Sequence, residues 1–229
     1  NMYAAENIWH SIKKNKTVGI IEDNKVDQIM KVAAPVGVVA GIIPTTNPTS
    51  TTIFKAMICM KTRNPIIFSF HPSAEKCSAA TAKVVYDAAI KAGAPADCIQ
   101  WVEGVSMEKT AELINHPEVA VVLATGGAGM VKAAYSTGKP ALGVGPGNVP
   151  AYIEQTANIK RAVNDIIVSK TFDNGMICAS EQAAIVDSEI YDEVKKEFQL
   201  HNVYFAKPEE IQQLEDVVMN DAKTGVRPN

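Results

Sequence analysis

The chain has 229 residues, of which 47% are hydrophobic and 21% charged, a balance that supports a buried core and excludes disordered, collagen-like and coiled-coil chains. At roughly 150 residues per domain, this length corresponds to one complete unit and part of a second. Twenty-two Lys and Arg against twenty-five Asp and Glu leave a net charge of −3 with no basic run. The chain therefore lacks the electrostatic footprint of a nucleic-acid or anionic-membrane binder, and its expected partner is a small soluble molecule.

The first patterned segment is Val18–Ile21, the polar stretch Glu22-Asp23-Asn24-Lys25 and Asp27–Ala33. Together they predict a β-hairpin, over about residues 18–33, that projects from the main body. From there short β-branched runs alternate with helical patterns. Strands are expected at Val36–Ile43, Pro65–Phe70, Ile99–Val102 and Val119–Ala124, with helices at Ser50–Lys61, Ser73–Ala92, Met107–Asn115 and Met130–Ser136 between and after them. This alternation is the signature of βαβ units around a parallel sheet. The strands are nearly all apolar, as required when helices cover both faces, so the fold class is α/β, a doubly wound Rossmann-like parallel sheet. Near Pro150 the pattern shifts, which predicts one domain over 1–150 and the start of a second over 151–229. A helix around Ile159–Ile167, a strand at Ala183–Val186 and amphipathic surface helices at Glu189–Phe198 and Pro208–Met219 follow. The pattern stops unfinished at Asn229, and the sequence reads as an excerpt.

Four segments could carry chemistry. Asn174-Gly175 favours positive φ and predicts a tight turn shortly before Cys178, a position from which a thiol can face a cleft. The plainer alternative is a small buried hydrophobe. Cys59 and Cys77 fall inside helical patterns and Cys98 begins a strand. The four cysteines have no CxxC spacing and no His cluster, so neither disulfides nor a metal site is signalled. Second, Asn47 lies in Pro44–Ser50, beyond the carboxyl end of the first long strand, where open α/β sheets bind ligands; its amide could donate to an oxyanion or serve only in a turn or cap. Third, Thr125, Gly126 and Gly127 stand between a strand and a helix, where small residues and free N–H groups suit phosphate. Gly143–Gly147 is also glycine-rich, but no helix follows and Pro146 removes a donor, so it is read as a turn beside the cleft, with Gly143 counted among the residues expected to bind cofactor. Fourth, His71, with Pro72 and Ser73, ends the second strand at a helix start and is placed to line a cofactor groove. The longest apolar stretches fall well short of the roughly 18 residues a membrane span needs, and no signal peptide is visible, so a cytoplasmic location is expected.

Taken together, Ile43–Ser50, Lys61–Asn64, Ala124–Tyr135, Gly138–Gly147 and Ser169–Gln182, in this order, resemble the aldehyde dehydrogenase superfamily. Within it the likeness is to the CoA-acylating branch that forms the first half of bifunctional aldehyde-alcohol dehydrogenases. The resemblance implies an NAD-binding first domain, with the pyrophosphate over the helix after Thr125, Gly126 and Gly127. It also implies an adenosine ribose near His71, Pro72 and Ser73, although the family usually carries Lys where His71 stands. Cys178 would be the nucleophile, and the side-chain amide of Asn47 and the backbone N–H of Cys178 would hold the oxyanion. Hydrolytic members carry a glutamate base where this chain has Gly143, so the resemblance implies transfer to coenzyme A rather than to water; Glu181 is a nearby carboxylate that could act instead. The hairpin matches a subunit-joining element, which implies a homo-oligomer. An iron-dependent alcohol dehydrogenase domain would follow in the bifunctional type, with none of its ligands in these residues. The rival readings are a hydrolytic aldehyde dehydrogenase and a non-catalytic nucleotide-binding or assembly fragment.

Overall fold

A computed structural model describes residues 2–219. The chain divides into two compact units, the first running to Gly147 and the second starting at Asn148.

The first unit begins with a π-helical stretch, Tyr3–Ile8, that runs into a short helix α1 (Trp9–Ile12). Neither was anticipated, because a pattern this short carries no periodicity to read. The hairpin follows as β1 (Gly19–Asn24) and β2 (Ile29–Ala33), antiparallel, with a bulge between Ile20 and Glu22. The expected polar turn lies later in the chain than its charges suggest. Asn24 Oδ1 accepts the N–H groups of both Val26 and Asp27, which closes the turn after Asn24 and leaves Glu22 and Asp23 in the strand.

The body of this unit is built from β3 (Val38–Ile42), α2 (Pro48–Lys61), β4 (Ile66–Ser69), α3 (Glu75–Lys91), β5 (Ile99–Trp101), α4 (Met107–Asn115), β6 (Val119–Thr125), α5 (Ala128–Tyr135) and β7 (Ala141–Val144). All five strands run parallel in the order β5-β4-β3-β6-β7. This is a Rossmann-like sheet. Alternate side chains of β3 and of Ile43, the residue after it, feed two separate cores. Val39 and Ile43 pack with Ala56 and Cys59 of α2, Phe68 and Ile99, whereas Ala40 and Ile42 pack with Leu113 and Ile114 of α4, Val122 and Ala134. Helices thus cover both faces, which is why these strands read as continuous apolar runs.

One expectation is corrected here. Gly143, read from the sequence as part of a turn, lies inside β7 and pairs with Ala124 of β6. Flanking glycines and a single four-residue edge strand hid the pairing. Ser73 likewise sits in a 3-10 turn, Pro72–Ala74, ahead of α3 rather than in the helix itself.

The second unit contains β8 (Pro150–Ile153), α6 (Ile159–Thr171), β9 (Ala183–Val186), α7 (Tyr191–Leu200) and α8 (Pro208–Val218). β8, also missing from the sequence reading, pairs parallel with β9. Ile153, Val163 and Val194 form a small fully buried core between the two strands, α6 and α7. Asn158 caps α6, its Oδ1 accepting the Arg161 N–H at 3.1 Å. Among the described residues no helix is long and apolar enough to cross a membrane.

Candidate active site

In the five-stranded sheet the chain winds outward from β3 in one direction through β4 and β5, and from β6 in the other through β7. The loops leaving β3 and β6 therefore part, and a crevice opens between them at the carboxyl ends of the strands. A cavity of about 250 Å³ lies there, lined by Ile43, His71, Pro72, Ser106, Thr125 and Gly127 among others. Five of the residues expected to bind cofactor, His71, Pro72, Thr125, Gly126 and Gly127, share this wall.

The loop after β6 is pinned where it leaves the sheet. The Gly126 N–H donates to the Val144 carbonyl at 3.0 Å, and the Gly127 carbonyl starts α5 by accepting from Met130 and Val131. A methyl group built on Gly127 or Gly129 would meet nothing within 4 Å, and Gly127 has an ordinary φ of −66°. The fold itself does not require glycine at these positions. The open space lies over the helix N-terminus, whose N–H groups and partial positive charge suit a phosphate, so these residues fit a dinucleotide.

His71 acts as a cap, its Nδ1 accepting the Ser73 N–H at 3.2 Å. That bond fixes the ring nitrogen as an acceptor. Ser73 contributes only its amide to this cap and lies outside the cavity lining, as does Gly143. Sequence reasoning missed the α4 side of the cavity, Val105, Ser106, Met107 and Thr110. The usable signal was topological, since every loop after a parallel strand reaches the same edge. Thr110 also forms a buried hydroxyl pair with Ser69 at 2.7 Å.

Another overlooked residue is Lys55, the only charged side chain between Pro48 and Met60 of α2. It is 4% exposed, and its Nζ donates to Ile42 O and Leu123 O, both at 2.7 Å, tying together the ends of the two central strands. Burial brings its pKa down to about 7 against an opposing pull from Cys59, whose thiol burial raises to about 12. Asn47 stands at the N-cap position of α2, half-buried, but its side chain makes no capping bond; its Oδ1 accepts from the Thr46 hydroxyl at 3.3 Å.

In the second unit Cys178 is exposed. Three successive residues before it, Asp173, Asn174 and Gly175, hold φ values of 51°, 53° and 72°. This left-handed run reverses the chain after α6, and a turn closed by the Ser180 N–H on the Ile177 carbonyl at 3.1 Å then presents the thiol. Ser180, 2% exposed, anchors the loop from beneath by donating to Ile177 O at 3.0 Å and accepting from Lys170 Nζ at 3.4 Å. Among the described residues nothing accepts a hydrogen bond from the Cys178 amide. Glu181, three residues on, is half-buried with Oε2 shielded from solvent and unpartnered among the described residues.

The first unit is a Rossmann-like sheet with an open glycine edge, and the second displays the exposed thiol of Cys178 on a turn. The particular family follows from comparison. The model of the aldehyde dehydrogenase family matches residues 2–204, and the chain belongs to that family. It is 61% identical over 215 residues to aldehyde-alcohol dehydrogenase 2 of Entamoeba histolytica, covering 94% of this chain and 25% of that protein. An acetylating aldehyde dehydrogenase from Geobacillus thermoglucosidasius superposes with a TM-score of 0.89 at 53% identity, over 96% of this chain and 49% of that one. A propionaldehyde dehydrogenase from Rhodopseudomonas palustris, solved with bound CoA and an acylated cysteine, gives a TM-score of 0.76 at 35% identity, over 82% and 43% of the two chains. The chain thus spans about a quarter of the curated relative and half or less of these structures.

Proposed function

We propose that this chain supplies the dinucleotide-binding unit and the nucleophile of a cytosolic, NAD-linked, CoA-acylating aldehyde dehydrogenase acting on a short aldehyde, within a bifunctional aldehyde-alcohol dehydrogenase. The observation that carries the reading is the exposed Cys178, lifted by a left-handed turn above a buried Ser180. An aldehyde does not give up hydride readily from its planar form, and a sulfur nucleophile converts it to a tetrahedral adduct. The Cys178 sulfur bonds to the carbonyl carbon as the carbon–oxygen π bond opens, and the Cys178 backbone N–H is the donor proposed for the resulting oxyanion. Losing one such donor costs roughly 2.7–4 kcal/mol of transition-state stabilisation. Gly126 and Gly127 would hold NAD, whose chemistry there would be to accept hydride, and loss of hydride from the adduct would leave a thioester on Cys178. The acyl group then passes to the coenzyme A thiol, which is far more acidic than water and needs less help from a base. Gly143 offers none.

In the full-length protein, NADH formation from acetaldehyde is expected only when CoA is present, and Cys178→Ala is expected to abolish it, with the acyl group found on Cys178 by mass spectrometry in the wild type. Equal rates with and without CoA would reject thioester transfer. The shielded, unpartnered Oε2 of Glu181 favours a second reading, hydrolysis with Glu181 as base; in that case Glu181→Gln would remove a CoA-independent rate.

We further propose that the β1–β2 hairpin joins subunits. Ile20, Ile21, Ile29, Met30 and Val32 are each 45–60% exposed on it, an apolar area that a lone hairpin does not otherwise need. Sedimentation of the full-length protein should give a dimer or larger, and a stable monomer would overturn this assignment.

A further inference from the structure

A second cavity of the first unit, about 720 Å³, opens at the amino ends of β4 and β5, the other edge of the sheet from Thr125 and Gly127. That volume lies within the roughly 300–1,000 Å³ of small-molecule sites. Met60, Pro65, Ala89, Ala92 and Pro95 give it an apolar wall. The turns that end α2 and α3 supply most of that wall, and the two are built alike. After α2 the Arg63 N–H donates to Met60 O at 3.1 Å and the Asn64 N–H to Cys59 O at 2.9 Å. After α3 the Gly93 N–H donates to Ile90 O at 2.9 Å and the Ala94 N–H to Ala89 O at 3.0 Å. This closure puts the residue after each helix in the left-handed region, with φ of 58° at Arg63 and 93° at Gly93. Glycine takes that conformation without steric cost, and α3 uses it.

At the matching position α2 carries arginine, so the backbone does not account for residue 63. Its exposed side chain lines the cavity, and among the described residues no acceptor pairs with its guanidinium. The Asn64 amide is already in use: its Oδ1 accepts the Val36 and Gly37 N–H groups at 2.7 and 3.2 Å, and its Nδ2 donates to the Thr62 hydroxyl at 2.8 Å. Asp97, whose Oδ1 accepts from Gln100 Nε2 at 3.3 Å, is the one carboxylate of the lining, so an acid group belongs on the Arg63 side. An apolar chamber with one uncommitted cation complements an apolar molecule that ends in an anion, and the planar guanidinium fork matches a carboxylate. We propose that this cavity binds a medium-chain carboxylate, its chain against the apolar wall and its acid group on Arg63. The site is separate from the cofactor crevice, because its walls come from segments before the strands and those of the crevice from loops after them.

The test is a calorimetric titration of the full-length protein with octanoate and with 1-octanol, a chain of the same length without the charge. The wild type should bind octanoate at least tenfold more tightly than 1-octanol. Arg63→Gly should bring octanoate down to the 1-octanol affinity and leave 1-octanol unchanged, with a Tm at or above wild type because glycine suits the left-handed turn. Arg63→Met, which keeps the aliphatic stem, should lose the preference for octanoate to the same extent. Ala92→Trp, which fills the chamber, should remove binding of both molecules and leave NAD binding unchanged. No octanoate binding to the wild type, or equal affinity for the two molecules, overturns the proposal. So does a preference for octanoate that survives either Arg63 variant, octanoate binding that survives Ala92→Trp, or a Tm for Arg63→Gly well below wild type, which would assign the arginine to the turn itself.

Discussion

Gly41, in the middle of β3, and Gly127, two residues past the end of β6, differ in what a methyl group would meet. At Gly41 it would lie 2.8 Å from Phe68 Cδ1 and 2.9 Å from Ile66 Cδ1, inside a fully packed layer; at Gly127 it would meet nothing within 4 Å. The interior of the sheet uses glycine because two strands and their large side chains leave no volume. The carboxyl edge uses it where the protein itself leaves volume unfilled. Folding alone gives no reason for glycine at position 127, which fits the proposed approach of a ligand to its backbone. The same residue type therefore marks packed scaffold in one region and, on the proposed reading, a binding surface in the other.

Lys55 lies on the border between these regions, and it carries the largest effect expected here. Burial lowers its pKa from 10.5 to about 7, so between those values the unfolded chain binds more protons than the folded one. Stability accordingly climbs as pH rises from 7, and the cost of burying the charge is fully present below 7. Cys59 acts in the opposite sense. Its thiol is raised from 9.0 to about 12, so above 9 the unfolded chain ionises first and stability falls with pH. The sum predicts a rise from pH 7 to 9, a level stretch to about 10.5 and a fall beyond it. Each pH unit on the rising limb is worth at most about 1.4 kcal/mol, hence about 3 kcal/mol over the limb. Urea unfolding of the full-length protein at pH 7, 8 and 9 should show this slope in the wild type and its loss in Lys55→Met. Identical slopes would mean that the amine titrates as though exposed, and the border between packed interior and open edge would be less sharp than the burial of Lys55 suggests.

Gly41→Ala probes the interior directly. Inserting a methyl group into a layer that already holds Phe68 and Ile66 at 0% exposure should cost about 1–3 kcal/mol, read as a lower urea midpoint with an unchanged slope. A neutral result would show that β3 and β4 can separate slightly, and glycine would then say little about packing in this sheet.

The scaffold was legible because its strands are continuous apolar runs and α4, Met107–Asn115, carries a strong amphipathic stripe capped by Ser106. The glycines after β6 and the turn before Cys178 were legible for a similar reason, since Gly and Asn at those positions have few other uses. What failed was edge structure. Gly143 read as part of a turn and Pro150 as the mark of a domain boundary, yet both lie in strands, because a short strand at the rim of a sheet is fixed by its neighbour and not by its own propensity. Lys55 went unnoticed since a lone lysine in an apolar helix looks like a solvated residue until the two carbonyls it serves are known. The α4 wall of the cavity was hidden in the same way, because only the topology brings Ser106 and Thr110 to Thr125.

The smallest effect on stability is expected at Gly127, and it is the one that bears most directly on function. Its φ of −66° and ψ of 161° are open to any residue. Alanine there loses a little as a helix cap and gains a comparable amount by stiffening the unfolded chain, so the net change should stay within about 0.5 kcal/mol. Binding should respond differently. If a pyrophosphate lies against this backbone, a methyl group holds it off the helix N-terminus, and NAD affinity measured by fluorescence titration of the full-length protein should fall about tenfold, or about 1.4 kcal/mol. Unchanged stability with weakened binding is the pattern that separates an open edge from a packed interior. Unchanged binding would leave the bare glycine without a ligand to explain it and would move the cofactor elsewhere along the crevice.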